Sequence, residues 1–410
     1  MKRKGKYENL GTSRSALNCR KILFPLAFLI LFSTARAQQT FKIIFTGDIM
    51  NHAPQLAAAR TGKNTYDFSE NFIYVAKILK SADFVAGNLE TPLGIKPYAG
   101  YPLFSAPPSL ATALKKAGFT HLMTANNHAY DKGEKGIRQT LRILDTAAMA
   151  HTGSFYHQSE KDSLPFVMLE KNGFRIALMN FTYGVNGHTR RESPLVNHID
   201  TVKMKEQIRK AKAARPDEII VFLHWGKEYA THPSAYQQKV ENFLHRQGIR
   251  LIIGAHPHVI QPVKWQQDNL TAYSLGNFIS NQRSFPRDGA FMLELILEKT
   301  GNKIRIKNVR YIPFWVYKYT IKGKPAYEIL PLQYFLKDRY YFDTDAEYTK
   351  MLRFYRFVSD FMGRLSPEVP SSVPGFYSLP SSLSPRILSL SLGTLQPETK
   401  GFKLSVPVLE

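Results

Sequence analysis

Five short segments of this 410-residue chain carry side chains able to bind metal ions or move protons. They are Gly47-Asp48-Ile49-Met50, Gly87-Asn88-Leu89-Glu90, Asn126-Asn127-His128, His224-Trp225-Gly226 and Gly254-Ala255-His256-Pro257-His258. Each presents a carboxylate, an amide or an imidazole, and that mixture suits borderline divalent cations such as Mn, Fe and Zn. A lone histidine after a strand is more often a structural residue. What points to a metal centre is the succession of five such segments, closed by His-x-His. Thiolate chemistry is excluded from the chain beyond residue 37, because the single cysteine, Cys19, precedes it.

The elements around these segments place them at strand ends. Apolar runs at Phe41–Phe45, Phe84–Ala86, Thr120–Thr124, Ile219–Leu223, Leu251–Ile253 and Ala272–Leu275 each stop at a Gly, Asn or His cluster, as buried strands feeding loops do. Between them, Phe72, Val75, Ala76 and Leu79 recur at helical spacing, as do Ile137, Leu141, Leu144 and Ala148, and Tyr236, Val240, Phe243 and Leu244. Alternating strands and helices predict a layered α/β domain. The carboxyl ends of its strands converge on one crevice, where the five segments can meet. Strands at Phe291–Leu297 and Ile304–Ile312 have no helix between them, so an antiparallel edge is expected and the sheet is mixed.

The ends of the chain read differently. A basic stretch to Lys21, an apolar run from Ile22 to Phe32 and an Ala35-Arg36-Ala37 site form a signal segment cleaved after Ala37, which predicts a periplasmic or extracellular protein. The alternative is an uncleaved anchor. Removing residues 1–37 takes eight of the 55 basic and one of the 32 acidic residues and leaves a formal charge of +16. Such a field draws polyanions, although it can equally be a general solubility feature. Residues 38–320 are read as the main domain and 321–363 as a helical extension carrying Tyr348, Met351, Leu352 and Tyr355 on one face. Residues 364–410 are Ser/Pro-rich and expected to be a disordered tail, dispensable for folding.

The order of the blocks resembles the calcineurin-like metallophosphoesterases. GDIM, GNLE, NNH, HWG-x-EY, GAHPHVIQP and SLGNF are more closely similar to the CapA family, associated with poly-γ-glutamate capsule, over Phe41 to about Ile312. The resemblance implies an α-β-β-α sandwich with mixed sheets and two divalent ions. It implies Asp48 and His258 as ligands of the first ion, and Asn127, His224 and His256 as ligands of the second. His128 would be the general acid. It further implies an anionic envelope polymer as substrate and membrane-bound capsule-synthesis proteins as partners, with no nucleic acid expected.

Two positions depart from the phosphoesterase pattern. Met50 stands where a histidine is expected, and a thioether is a poor ligand for such dications. His52 could substitute; otherwise it is an exposed loop histidine. Asn88 stands where a bridging aspartate is expected, and Glu90, two residues on and facing the same side of an extended strand end, supplies the missing charge. Glu90 is therefore read as a ligand and Asn88 as its helper. Trp225, Glu228 and Tyr229 could line a substrate groove, and Lys264, Arg283 and Arg287 could meet an acidic ligand. The plainer alternatives are an aromatic shelf and a solvated basic face. Asn277 is read as a hydrogen-bonding buttress of the metal loops.

Three functions fit: a metal-dependent hydrolase or transferase on the polymer, a phosphoesterase on envelope glycans or lipids, and a non-catalytic polymer-binding or export factor. N-terminal sequencing of exported protein is expected to begin at Gln38; a membrane-embedded chain that retains residues 1–37 would overturn the signal-segment reading.

Overall fold

The computed structural model describes residues 39–186 and 193–372; the expected signal segment (residues 1–37) and most of the expected tail (residues 373–410) lie outside the described residues. The described strands are β1 (Gln39–Ile49), β2 (Phe84–Leu89), β3 (His121–Met123), β4 (Ala150–Thr152), β5 (Val167–Lys171), β6 (Phe174–Thr182), β7 (Glu218–His224), β8 (Leu251–Ala255), β9 (Val263–Gln266), β10 (Asn269–Ala272), β11 (Asn277–Ile279), β12 (Gly289–Thr300), β13 (Lys303–Ile321) and β14 (Lys324–Pro331). They form two sheets. One runs β14-β13-β12-β1-β2-β3-β4, with β11 also pairing β1, and the other runs β5-β6-β7-β8-β10-β9.

Both sheets are mixed. In the first, β1 to β4 are parallel neighbours, while β12, β13 and β14 extend it antiparallel from β1. In the second, β6, β7, β8 and β10 are parallel, with antiparallel edges at β5 and β9.

Side-chain alternation along each strand decides what packs where. Phe41 and Phe45 of β1 meet Phe174 and Phe222 of the second sheet at ring distances of 5.3 and 6.5 Å, so the two sheets face each other through apolar side chains. On β7 the neighbours Val221 and Leu223 point the other way. They join Met179, Phe181, Met204, Ile208, Val240 and Leu244 in a second core under the helices Thr201–Ala213 and Ala235–Arg246. Asp200 starts the first of these helices by accepting from the Val202 and Lys203 amides, and Ser234 with Gln237 forms a capping box on the other. Helices Ile73–Leu79 and Ser109–Ala117 bury Val75, Leu79, Leu110 and Leu114 against the first sheet. The expected α-β-β-α sandwich with mixed sheets is therefore the observed architecture.

Several boundaries differ from expectation. The hairpin β5–β6 carries no clear strand signal, since Ala177, Leu178 and Met179 are good helix formers; pairing with β7 overrides that propensity. The 321–363 extension does not begin as helix, because β14 pairs with β13 and belongs to the first sheet. Its long helix, Asp345–Leu365, is there and packs Phe354 against Gly289, where an added Cβ would lie 2.5 Å from the ring.

The tail also begins later than 364. Ser366 Oγ accepts from the Val263 amide (2.8 Å), Pro370 O accepts from the Tyr311 amide (3.1 Å), and Val369 is buried. A Ser/Pro-rich composition conceals this stretch because its contacts are made by one valine and by isolated polar groups, two serine hydroxyls, the Glu368 carboxylate and backbone carbonyls and amides, that follow no apolar period. Among the described residues no helix is long and apolar enough to cross a membrane.

A chain ended after Gly363 is expected to be about 2–4 kcal/mol less stable than one ended after Ser372, through the lost valine burial and hydrogen bonds. Thermal melts of the two truncations check this, and coincident transitions would restore the earlier tail boundary.

Candidate metal centre

The strand ends bring the predicted donors together. β1 delivers Asp48, β2 delivers Asn88 and Glu90, β3 leads to Asn126-Asn127-His128, β7 ends on His224, and the loop after β8 carries His256 and His258. All are buried. The ligand atoms of Asp48, Glu90 and His258 lie within 4.8 Å of one another, and so do those of Glu90, His224 and His256. Glu90 belongs to both groups. Its Oε1 is 3.7 Å from His224 Nε2 and 3.9 Å from His258 Nε2, and neither of its oxygens is hydrogen-bonded.

Close approach of the backbone permits this gathering. The Asp48 amide donates to Gly276 O (3.0 Å), and a Cβ on Gly47 would lie 1.8 Å from that same oxygen, so only glycine fits before Asp48. His256 and His258 both adopt left-handed backbone angles, with φ of 100° and 59°. Non-glycine residues rarely do so, and here the twist turns both imidazoles of a His-Pro-His loop inward.

Amides hold the donors in place. Asn88 Nδ2 donates to Asp48 Oδ1 (2.7 Å) and lies 3.1 Å from His224 Nδ1, the helping position expected of it. Asn127 Oδ1 is 2.8 Å from His224 Nε2. His258 Nδ1 lies 3.1 Å from both Asp48 Oδ2 and Asn277 Oδ1, so its Nδ1–H donates to these oxygens and Nε2 keeps the lone pair. Asn277 thus buttresses a ligand loop.

Other predicted residues fall elsewhere. His52 is only partly buried and caps the helix Ala53–Ala59; its Nδ1 accepts from the Asn281 amide (3.3 Å), and burial lowers its pKa to about 4. It stays outside both donor groups. Trp225 does not line a groove. Alternation after His224 sends its indole into the second core, where it stacks on Tyr273 and donates to Tyr273 O (2.9 Å). Glu228 is exposed at the mouth, and its carboxylate falls within 4.8 Å of the ligand atoms of His256 and His258.

The structure also adds residues that the sequence did not single out. Asp131 Oδ2 is 2.7 Å from His128 Nδ1 and accepts from the Phe104 amide (2.8 Å); a carboxylate three residues after His128 was the available signal. Tyr183 lies 4.7 Å from His256, ring to ring. Asn180 on β6 accepts from the Ala125 amide (2.7 Å) and donates to Phe222 O (3.2 Å), tying the Asn127 loop to the second sheet.

The electrostatics fit a cation. Burial first, and then the neighbouring Asp48 carboxylate, pushes the Glu90 pKa well above 4.5. Burial, followed by the other histidines, holds His224 well below 6.5 and His256 at about 3, so both are neutral lone-pair donors at pH 7. Among the described residues no lysine or arginine pairs with either buried carboxylate, and together with neutral imidazoles and amide oxygens they form a donor set that a divalent ion completes.

Such a centre on a double-sheet α/β sandwich defines a candidate metal-binding protein. The chain belongs to the bacterial capsule synthesis protein PGA_cap family, whose model matches residues 42–282. "Capsule biosynthesis protein CapA" of Bacillus anthracis is 30% identical over 309 residues, covering 69% of this chain and 73% of that protein. "PGA biosynthesis protein CapA" of Bacillus subtilis (strain 168) is 30% identical over 298 residues, covering 68% and 77% respectively. Among solved structures, the calcineurin-like phosphoesterase YfkN from Bacillus subtilis aligns with a TM-score of 0.40 at 14% identity, over 80% of this chain and 99% of that one.

A raised Glu90 pKa means that the folded, metal-free protein holds this proton more tightly than the unfolded chain does. The resulting stability is present below pH 4.5 and is lost as pH rises above it. Glu90→Gln is therefore expected to raise the melting temperature of the metal-free protein at pH 8 relative to wild type, with no gain at pH 4, while bound metal falls to background. Melts in chelator at the two pH values, with elemental analysis, check both halves.

Proposed function

We propose that this is an exported, metal-dependent protein that cleaves or transfers linkages in poly-γ-glutamate or a related anionic envelope polymer during capsule synthesis, alongside membrane-bound partners. The observation that supports it is Glu90, a buried carboxylate without a hydrogen-bond partner at the junction of two donor groups. Asp48, Glu90 and His258 would hold one ion, and Glu90, His224, His256 and Asn127 the other, both Mn, Fe or Zn. Such ions, when bound, supply a Lewis acid and lower the pKa of a coordinated water.

The chain's own groups do the rest. Asp131 can only accept, so His128 carries its Nδ1 proton toward that carboxylate and presents Nε2 for proton transfer to a leaving group. Asn126 fixes the backbone there by accepting from the His128 amide (3.1 Å) while its Nδ2 donates to Leu89 O (2.8 Å), next to Glu90. Phe104 packs edge-on against the His128 ring at 4.6 Å and shields it from water. A positioned proton donor has no task in a protein that only binds polymer, which favours turnover.

With Met50 in place of a nitrogen donor, the electrophilic clamp that phosphoryl transfer depends on is weaker. Attack on an amide carbonyl places less demand on it. The Mn- or Zn-loaded protein is expected to shorten or transfer γ-glutamyl chains faster than it hydrolyses aryl phosphates, and Glu90→Ala to abolish both. His128→Ala should keep its metal by elemental analysis while losing about 10²–10⁴-fold in turnover. Robust phosphodiesterase activity without change in polymer length would promote the phosphoesterase reading, and silence on every substrate would promote a binding protein.

A further inference from the structure

Of three basic residues in the second half of the chain, two are already engaged. Lys264 Nζ is 2.6 Å from Tyr273 OH and 3.4 Å from Glu241 Oε2. The Arg283 guanidinium lies 5.5 Å over Trp315, with Asp288 and Glu347 as its charged neighbours. Arg287 differs. Its guanidinium lies 4.3 Å over the ring of Tyr229, and its Nε donates only weakly, to Ser284 O at 3.4 Å. Among the described residues its guanidinium is in no ion pair; Glu228 and Arg287 both meet the Tyr229 side chain, and Glu228 also groups with His256 and His258.

Both halves of this stack are fastened to the candidate metal centre. The Tyr229 amide donates to the carbonyl of Pro257, the residue between His256 and His258 (2.8 Å), and the Tyr229 ring lies 6.1 Å from that of His258. Arg287 O accepts from Asn277 Nδ2 (3.1 Å), the amide whose oxygen meets His258 Nδ1. Tyr229 also holds a left-handed φ of 65°, and it is half exposed. A planar cation is thus pre-oriented at the mouth of the site on an aromatic face. Stacking holds the fork in place while Nε turns to Ser284 O and the guanidinium also meets the Tyr229 side chain; its remaining N–H groups can take the oxygens of an oxyanion.

Resting on the anionic-substrate reading above, we propose that Arg287, held on Tyr229, is the specificity-determining residue that binds an oxyanion of the substrate beside the reacting bond. The shared chemistry is a carboxylate or phosphate edge taken by the guanidinium fork. Recognition by a fork predicts that lysine, with the same charge but a single point donor, replaces it poorly.

Calorimetry on the metal-loaded full chain tests this with three probes: a γ-linked glutamate decamer, the same decamer with its carboxylates amidated, and phenyl phosphate. Arg287→Ala is expected to weaken binding of the preferred anion about 10- to 100-fold and to leave the amidated decamer unaffected. Arg287→Lys should recover only part of the loss, and Tyr229→Leu should weaken the same anion. Elemental analysis should give wild-type metal content for all three variants. Tight binding of the decamer with no turnover would sink the catalytic reading and leave Arg287 in its role. Selective loss of phosphate binding would keep the role and sink the polymer reading. Unchanged anion affinity in Arg287→Ala, equal loss for the amidated decamer, or no anion binding by wild type would each overturn the assignment.

Discussion

Glu90 is enclosed by protein with neither oxygen hydrogen-bonded, beside a second buried carboxylate, Asp48, and among imidazoles that burial keeps neutral. Removing a carboxylate from water without a partner costs several kcal/mol. Among the described residues, what surrounds it is an arrangement of lone pairs, which is the arrangement a divalent ion requires. The loops that surround Glu90 are shaped by this requirement. Gly47 lets β1 approach Gly276, the His-Pro-His loop takes up left-handed backbone angles, and Asn88 and Asn277 orient the donors.

The two facing sheets supply the rigidity for such a site. Asp48, Glu90, Asn127 and His128 come from the first sheet, and His224, His256 and His258 from the second. A slip between the layers would separate the ligand groups. Asn180 opposes it by tying the Ala125 backbone to β7 through one buried amide, and Gly153 leaves it room, since a Cβ there would lie 2.1 Å from Asn180 Oδ1. The aromatic contacts from Phe41 to Phe174 and from Phe45 to Phe222 provide the non-directional part of the same registration.

Charge is distributed unevenly in function although it is abundant in sequence. Lys264 belongs to a Tyr273–Glu241 network beside the second core, and Arg283 is packed on Trp315. Arg287 alone among these three stands next to the ligand loops. The basic composition is therefore a poor guide to which cation meets a substrate, because position relative to His258, not count, sets the local field.

The donors themselves were legible in the sequence. Strand-terminating runs at Phe41–Phe45, Phe84–Ala86, Ile219–Leu223 and Leu251–Ile253 placed Asp48, Glu90, His224 and His256 at strand ends, because a buried parallel strand must be apolar and its polar chemistry must wait for the loop. The antiparallel edge was legible for a different reason: no helix separates the runs Phe291–Leu297 and Ile304–Ile312, so the second must return beside the first. Only the tertiary structure separated Trp225 from His224, by sending adjacent side chains to opposite faces, and kept His52 out of the cluster by occupying its Nδ1. It alone paired His128 with Asp131 and placed Tyr183 beside His256, gave Asn180 its inter-sheet role and packed Ser366 to Ser372 on the core. Those contacts join residues through space, most of them distant in sequence or made by backbone atoms, so neither periodicity nor motif carries them. Sequence sets which groups can bind a metal; the meeting of two sheets sets which of them do so together.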